Sequence, residues 1–185
     1  MKRTFLTLVL FSFVLGLGAQ KKAKCVVITQ SGTEITGYIK RYKPTYQMAG
    51  GFDLLKNDKK MRIYPKNVVT VTINDTLVYH PIVIGNEGTY LMHCLMDGKP
   101  LSLYEHLRRR EINTSGNGAT TAYITDFYLK KKGEANFVDL GKLRRKPEVF
   151  FPNAPALQET IKATKKKDIA LPKWVKQYNE IVASQ

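Results

Sequence analysis

Acidic side chains are scarce in this chain: 15 Asp and Glu stand against 30 Lys and Arg in 185 residues, a formal charge of +15. Cysteine is scarcer still, with two residues, too few for a small disulfide-stapled scaffold. There are three histidines, and neither C-x-x-C nor H-x-x-x-H occurs, so the spacing of a zinc site is missing. His93 and Cys94 are neighbours and would point to opposite faces of a strand. His80, His93, Cys94 and His106 therefore read as separate side chains, and no metal or other cofactor is expected. The nucleophile elbow G-x-S-x-G is absent, as are phosphate-cradling loops of Walker or dinucleotide type. Ser115 lies in a Gly-, Ser- and Thr-rich stretch that reads as a surface loop. Glu105 is the one carboxylate on a candidate strand among apolar neighbours, and a glycosidase needs a pair. No catalytic residue is assigned, and a non-enzymatic protein is expected; the alternative is an enzyme with an unrecognised site.

Long apolar runs are also missing, except at the start. Lys2 and Arg3 precede the apolar stretch 5–17, and Gly16, Gly18 and Ala19 supply small residues before Gln20. That is the three-part pattern of an export signal, 1–19. The run is too short to span a bilayer, which takes about 20 apolar residues. A lipoprotein would carry a cysteine directly after the run. Cys25 instead follows Lys21, Lys22 and Lys24. The chain is expected to be periplasmic or secreted, with no transmembrane helix after cleavage. Its N-terminus should lie near Gln20, and N-terminal sequencing of the exported protein that returned an intact Met1 would refute this. Cleavage removes Lys2 and Arg3 and no acid, so the basic excess remains.

The remaining pattern is β-rich. At 68–107, Val69, Val71 and Ile73 alternate with Thr70, Thr72 and Asn74, the period of a half-buried strand. A denser run at 90–96 leads to Asp97-Gly98, which suits a tight turn into Leu101, Leu103 and Leu107. Residues 25–42 form a hairpin about Ser31-Gly32, with Ile35, Gly37 and Ile39 on one face. Gly37 inside a strand marks a bulge or sharp bend. Short strands at 52–56 and 60–64 flank an Asn57-Asp58 turn, and Pro65 opens one helical turn. His80 precedes Pro81 at a strand end. A further strand is expected at 122–129, and Lys132-Gly133 is a turn. After Pro147 the period changes. Asn153 is the expected N-cap of a helix holding Leu157 and Ile161. Pro172 opens another, with Trp174, Val175, Tyr178, Ile181 and Val182 as one apolar stripe. The expected fold is α+β: a mainly antiparallel β domain, 20–146, with a helical segment, 147–185, docked on it. Residues 25–74 are expected to close as a small SH3-like barrel, followed by a β-meander.

Gly32-Thr33-Glu34-Ile35-Thr36-Gly37-Tyr38-Ile39, Tyr64-Pro65-Lys66-Asn67-Val68 and the late Tyr178-Asn179, behind an export signal, carry a resemblance. The chain resembles a group of uncharacterised exported β-rich proteins of Bacteroidota-type Gram-negative bacteria. The similarity covers most of the chain in layout, and its motifs are structural. The resemblance implies an envelope location and a β-rich fold, and brings no catalytic residues.

Two questions stay open at this level. Cys25 and Cys94 are candidates for a disulfide, because an exported compartment permits one, and two separate buried thiols are the alternative. Basic clusters occur at Arg108-Arg109-Arg110, Lys130-Lys131-Lys132, Arg144-Arg145-Lys146 and Lys165-Lys166-Lys167. Clusters of this kind bind polyanions by charge and counterion release. Export argues against nucleic acid as the normal partner and leaves anionic envelope lipid or polysaccharide, with Lys165, Lys166, Lys167, Arg144 and Arg145 as candidate contacts. The favoured reading is a solvated surface, because the runs fall at turns and element ends. A polyanion site would need the runs on one face.

Overall fold

In the computed structural model, which describes residues 22–40, 42, 48–113, 119–131, 134–165 and 170–184, the period-2 stretches become one antiparallel sheet. Its strands are β1 (Ala23–Thr29), β2 (Glu34–Ile39), β3 (Phe52–Lys56), β4 (Lys59–Ile63), β5 (Val68–Ile73), β6 (Leu77–Ile84), β7 (Gly88–Met96), β8 (Leu101–Asn113), β9 (Ala119–Lys131) and β10 (Glu134–Phe137). A single 3₁₀ turn, Pro65–Asn67, leads into β5, as Pro65 implied. Four helices follow: α1 (Leu140–Arg145), α2 (Pro147–Phe150), α3 (Pro155–Ala163) and α4 (Leu171–Ala183). The helical part thus opens at Leu140, ahead of position 147. The export signal lies outside the described residues. No described helix is long and apolar enough to cross a membrane.

The ten strands run in the order β10-β9-β8-β7-β6-β5-β1-β2-β3-β4. The sheet is open, and the SH3-like barrel expected over 25–74 does not close. Both edges of β5 are taken, by β1 on one side and β6 on the other. The section therefore has no spare edge with which to complete a ring. It rolls instead. Val27, Leu54, Val71 and Ile73 are fully buried in one cluster that also takes in Tyr79 of β6 and Leu91 of β7. Gly37 allows this roll. A Cβ on it would lie 2.5 Å from the carbonyl oxygen of Leu55, so β3 could not cross so close to β2 over any other residue.

The turns follow side-chain chemistry. Asn57 and Asp58 both take positive φ, 49° and 59°, as expected between β3 and β4. Asn74 and Asp75 do the same at 50° and 58°, making a second tight hairpin between β5 and β6. Asp97-Gly98 does not form the expected tight turn. The β7–β8 connection is longer, and Gly98 is absent from the residues with positive φ. The Ser102 hydroxyl holds this connection: its one proton has Asp97 Oδ1, 3.1 Å away, and the Gly98 carbonyl, 3.2 Å away, as acceptors. Glycine is required at 98 by a close approach: a Cβ there would collide with the side-chain amide of Asn179 in α4.

Two other expectations are corrected. His80 and Pro81 sit inside β6 rather than at its end. The β5 ladder stops at Tyr79, so Pro81 lies beyond it, where no ladder N–H is needed on that side. Asn153 is not an N-cap. Ala154 holds that position, and Asn153 takes φ 60°, which asparagine tolerates.

The helices bury their apolar stripes on one face of β8 and β9. Leu103, Leu143, Phe151, Ile161 and Val175 are fully buried there, with Trp174 beside them. On the opposite face a third cluster forms from Ile82, Met92, Tyr104 and Tyr128. There the short strand β10 packs back against β6.

Candidate functional site: a central cleft and a lateral groove

The strands β7 and β8 stay paired for only a short distance. Their ladder joins His93 to Glu105 and Cys94 to Tyr104, then passes through a bulge to Met96 and Leu103. Beyond Glu105, among the described residues, β8 continues only with β9, out to Asn113. The strands splay, and Met48 and Ala49 enter the fork, where the Leu91 N–H donates to the Ala49 carbonyl at 3.0 Å. A cleft of about 210 Å³ remains, lined by Tyr79, Leu91, His93, Glu105, Leu107 and Thr125 among others.

Cross-strand register places Tyr79, His93 and Glu105 in one row on one face. His93 Nδ1 lies 2.7 Å from Glu105 Oε1. When Nδ1 is the donor to the carboxylate, Nε2 of a neutral imidazole keeps a lone pair, the arrangement of a base held by its orienting carboxylate. The Tyr79 ring packs 5.2 Å from the imidazole, and the Tyr79 and Tyr42 hydroxyls share a hydrogen bond of 2.9 Å. Burial pushes the Tyr79 phenol far above its ordinary range, so it remains a neutral hydrogen-bonding group.

The other two histidines and Cys94 lie on the opposite face. His80 Nδ1 is 3.1 Å from the Tyr104 hydroxyl. His106 sits between Tyr90 and Tyr128, with ring centroids 5.2 and 6.3 Å away, and its Nδ1 has no hydrogen-bond partner among the described residues. Among the described residues no three His, Cys, Asp or Glu side chains converge as a metal site would require. Cys25 and Cys94 are free thiols. Cys25 is in the rolled cluster and Cys94 packs beside the cluster on the other face, so the sheet separates them. Burial raises their pKa values to about 12 and about 11, which leaves both as poorly reactive thiols.

The histidines on that face carry a pH prediction. Burial holds His80 and His106 below the ordinary 6.5; Arg108 pushes His106 the same way, while Asp126 and Glu87 oppose. The unfolded chain takes up these protons near 6.5, and the folded chain only at lower pH. Below that value the unfolded state binds more protons, so stability falls as pH falls. Urea unfolding midpoints should drop between about pH 7 and about pH 5, and should drop less in His80→Gln/His106→Gln. A double variant with the parent's slope would refute this.

The larger concavity is a lateral groove of about 430 Å³ between the β8–β10 end of the sheet and α1–α2. Leu101 and Leu129 lie at its buried base, and Val149 and Phe150 of α2 form an apolar wall. Val149 is 57% exposed. Lys131, two residues on from Leu129 and so on the same face, flanks the groove on the sheet side. Lys142 of α1 flanks it on the helix side, and Asn136 and Asp139 complete the polar margin. Asp139 is already engaged: its Oδ1 accepts the Lys142 backbone N–H at 2.9 Å as the N-cap of α1. That hydrogen bond, with Arg145 and Lys142 nearby, holds its carboxyl below the usual range. Neither Lys131 nor Lys142 has an ion pair among the described residues.

The basic runs are dispersed. Arg108 pairs with the buried Asp126, on the face opposite to Lys131. Arg109 reaches the Thr121 hydroxyl at 3.4 Å. Arg144 is half-buried, with its Nε unpartnered among the described residues, and Arg145 is exposed near Asp139. Lys165 is exposed just past α3, and Lys166 and Lys167 lie outside the described residues. The candidate polyanion contacts on α1 thus share a helix with Lys142, and Lys165 follows a different one.

The His93–Glu105 pair escapes sequence reading because the long connection and the bulge between β7 and β8 set its register. A pairing template counted back from Asp97-Gly98 misplaces every partner. The groove escapes it because Val149 reads as an ordinary helix position. No family model, curated protein or solved structure matches this chain.

Proposed function

We propose that the chain is an exported, non-enzymatic binding protein of the cell envelope, and that its ligand seats in the lateral groove. The three-part N-terminus and the resemblance to exported envelope proteins support the location. The observation that carries the binding reading is the groove itself: a concave surface in which an exposed Val149 and the buried apolar residues Leu101 and Leu129 share the lining with Lys131, Asn136, Asp139 and Lys142. Ligand sites combine an apolar lining with a few placed polar groups in this way. A neutral, environment-sensitive dye such as Nile red should gain fluorescence on the mature protein. Val149→Trp, which fills the groove from an exposed position, should remove most of that gain without lowering the melting temperature. A dye signal indifferent to Val149→Trp would overturn the assignment.

The His93–Glu105 pair favours a second reading, an enzyme using His93 as a general base in the cleft. Hydrolysis of activated esters by the parent and its loss in His93→Gln would support it. Equal, background-level rates in both would refute it.

A further inference from the structure

Resting on the reading of the groove as a ligand site, we infer that it takes a single-chain amphipathic anion of the fatty-acid type, with its tail on the apolar base and its carboxylate between Lys131 and Lys142. The base and wall, Leu101, Leu129, Val149 and Phe150, are apolar, and the side chains that could hydrogen-bond an incoming molecule are Lys131, Asn136, Asp139 and Lys142. An extended polysaccharide would need a row of solvated cations, and the basic runs are instead divided between the two faces of the sheet. At about 430 Å³ the groove lies toward the lower end of ligand pockets, about 300–1,000 Å³, with room for one short chain.

The head group follows from charge. Two exposed ammonium groups, Lys131 and Lys142, flank the apolar surface without carboxylate partners among the described residues. The carboxylate at the margin, Asp139, is occupied in capping α1 and lies beside Arg145. An incoming anion therefore meets a net positive margin, and the methylene stems of the lysines extend the apolar walls while their charges stay in water.

The test is displacement of Nile red from the mature protein by dodecanoate, dodecanol and dextran sulfate at low salt, all below micelle formation. Dodecanoate should displace the dye at a concentration about tenfold lower than dodecanol, the gain of one or two charge-assisted contacts. In Lys131→Gln/Lys142→Gln that advantage should shrink to about twofold or less, and in Lys165→Gln/Lys166→Gln/Lys167→Gln it should persist. From octanoate to dodecanoate, affinity should rise about fourfold per methylene, about 0.8 kcal/mol each, and level off once the groove is filled. Equal displacement by the acid and the alcohol would overturn the inference. So would an anion preference that survives the Lys131/Lys142 double variant, or displacement by dextran sulfate that the Lys165–Lys167 triple variant abolishes; each leaves the groove as an apolar site. Dye binding untouched by Val149→Trp would instead remove the groove reading, and this inference with it.

Discussion

Truncation before Leu171 is expected to cost more stability than any single substitution in the described part of the chain. Helix α4 buries Leu171, Trp174, Val175 and Tyr178 against β8, β7 and α3. A helix of this length is marginal alone in water, so its place depends on docking. Trp174 is 3% exposed, and its replacement by alanine alone should cost about 3–5 kcal/mol. Whole domains are stable by about 5–15 kcal/mol. Removing the helix would also uncover Leu101 and Leu103 on β8 and the Phe151 ring, which packs 5.4 Å from that of Tyr178. The truncated chain should unfold at much lower urea, and its cooperative near-ultraviolet signal should be lost at ordinary temperature. A truncated protein that melts with the parent would show that α4 contributes nothing to the core.

Asn179→Leu should be the next most damaging change for its size. The Leu101 N–H donates to Asn179 Oδ1 at 3.0 Å, and Asn179 Nδ2 donates to the Leu101 carbonyl at 2.8 Å. Both backbone groups of Leu101 face the side where β7 would have continued. The ladder between β7 and β8 ends at Met96 and Leu103, so the Asn179 amide supplies the hydrogen bonds of the missing strand residue. Leucine matches the volume and supplies neither bond. Each buried backbone group left unpaired costs about 1–3 kcal/mol, so the midpoint of urea unfolding should fall clearly at unchanged slope. The same amide explains Gly98. Gly98→Ala should destabilise the parent strongly, and the two changes together should cost less than their sum, because a Cβ at 98 meets the Asn179 side chain. Strictly additive effects would mean that the contact carries no energy. In the sequence Gly98 reads as a turn residue and Asn179 as a helix residue, with nothing linking them.

Local patterns determined a good deal by themselves. Alternation and turn chemistry placed β1 to β5 and their hairpins, because a half-buried strand and an Asn-Asp turn are selected by residues a few positions apart. The spacing of Trp174, Val175 and Tyr178 placed α4 and its buried stripe for the same reason. The mainly antiparallel α+β architecture follows from these short-range signals, as does the need for the terminal helix to dock. Tertiary structure decided the rest. The sheet stays open because β6 takes the edge of β5 that a barrel would have used, a competition between strands far apart in the chain. Cys25 and Cys94 remain thiols because that sheet stands between their clusters. His93 meets Glu105 through a register set by an irregular connection and a bulge, and Lys131 meets Lys142 across a groove that exists only once α1 and α2 lie beside β8–β10. Each of these depends on which elements are neighbours in space, and residue spacing along the chain does not encode that.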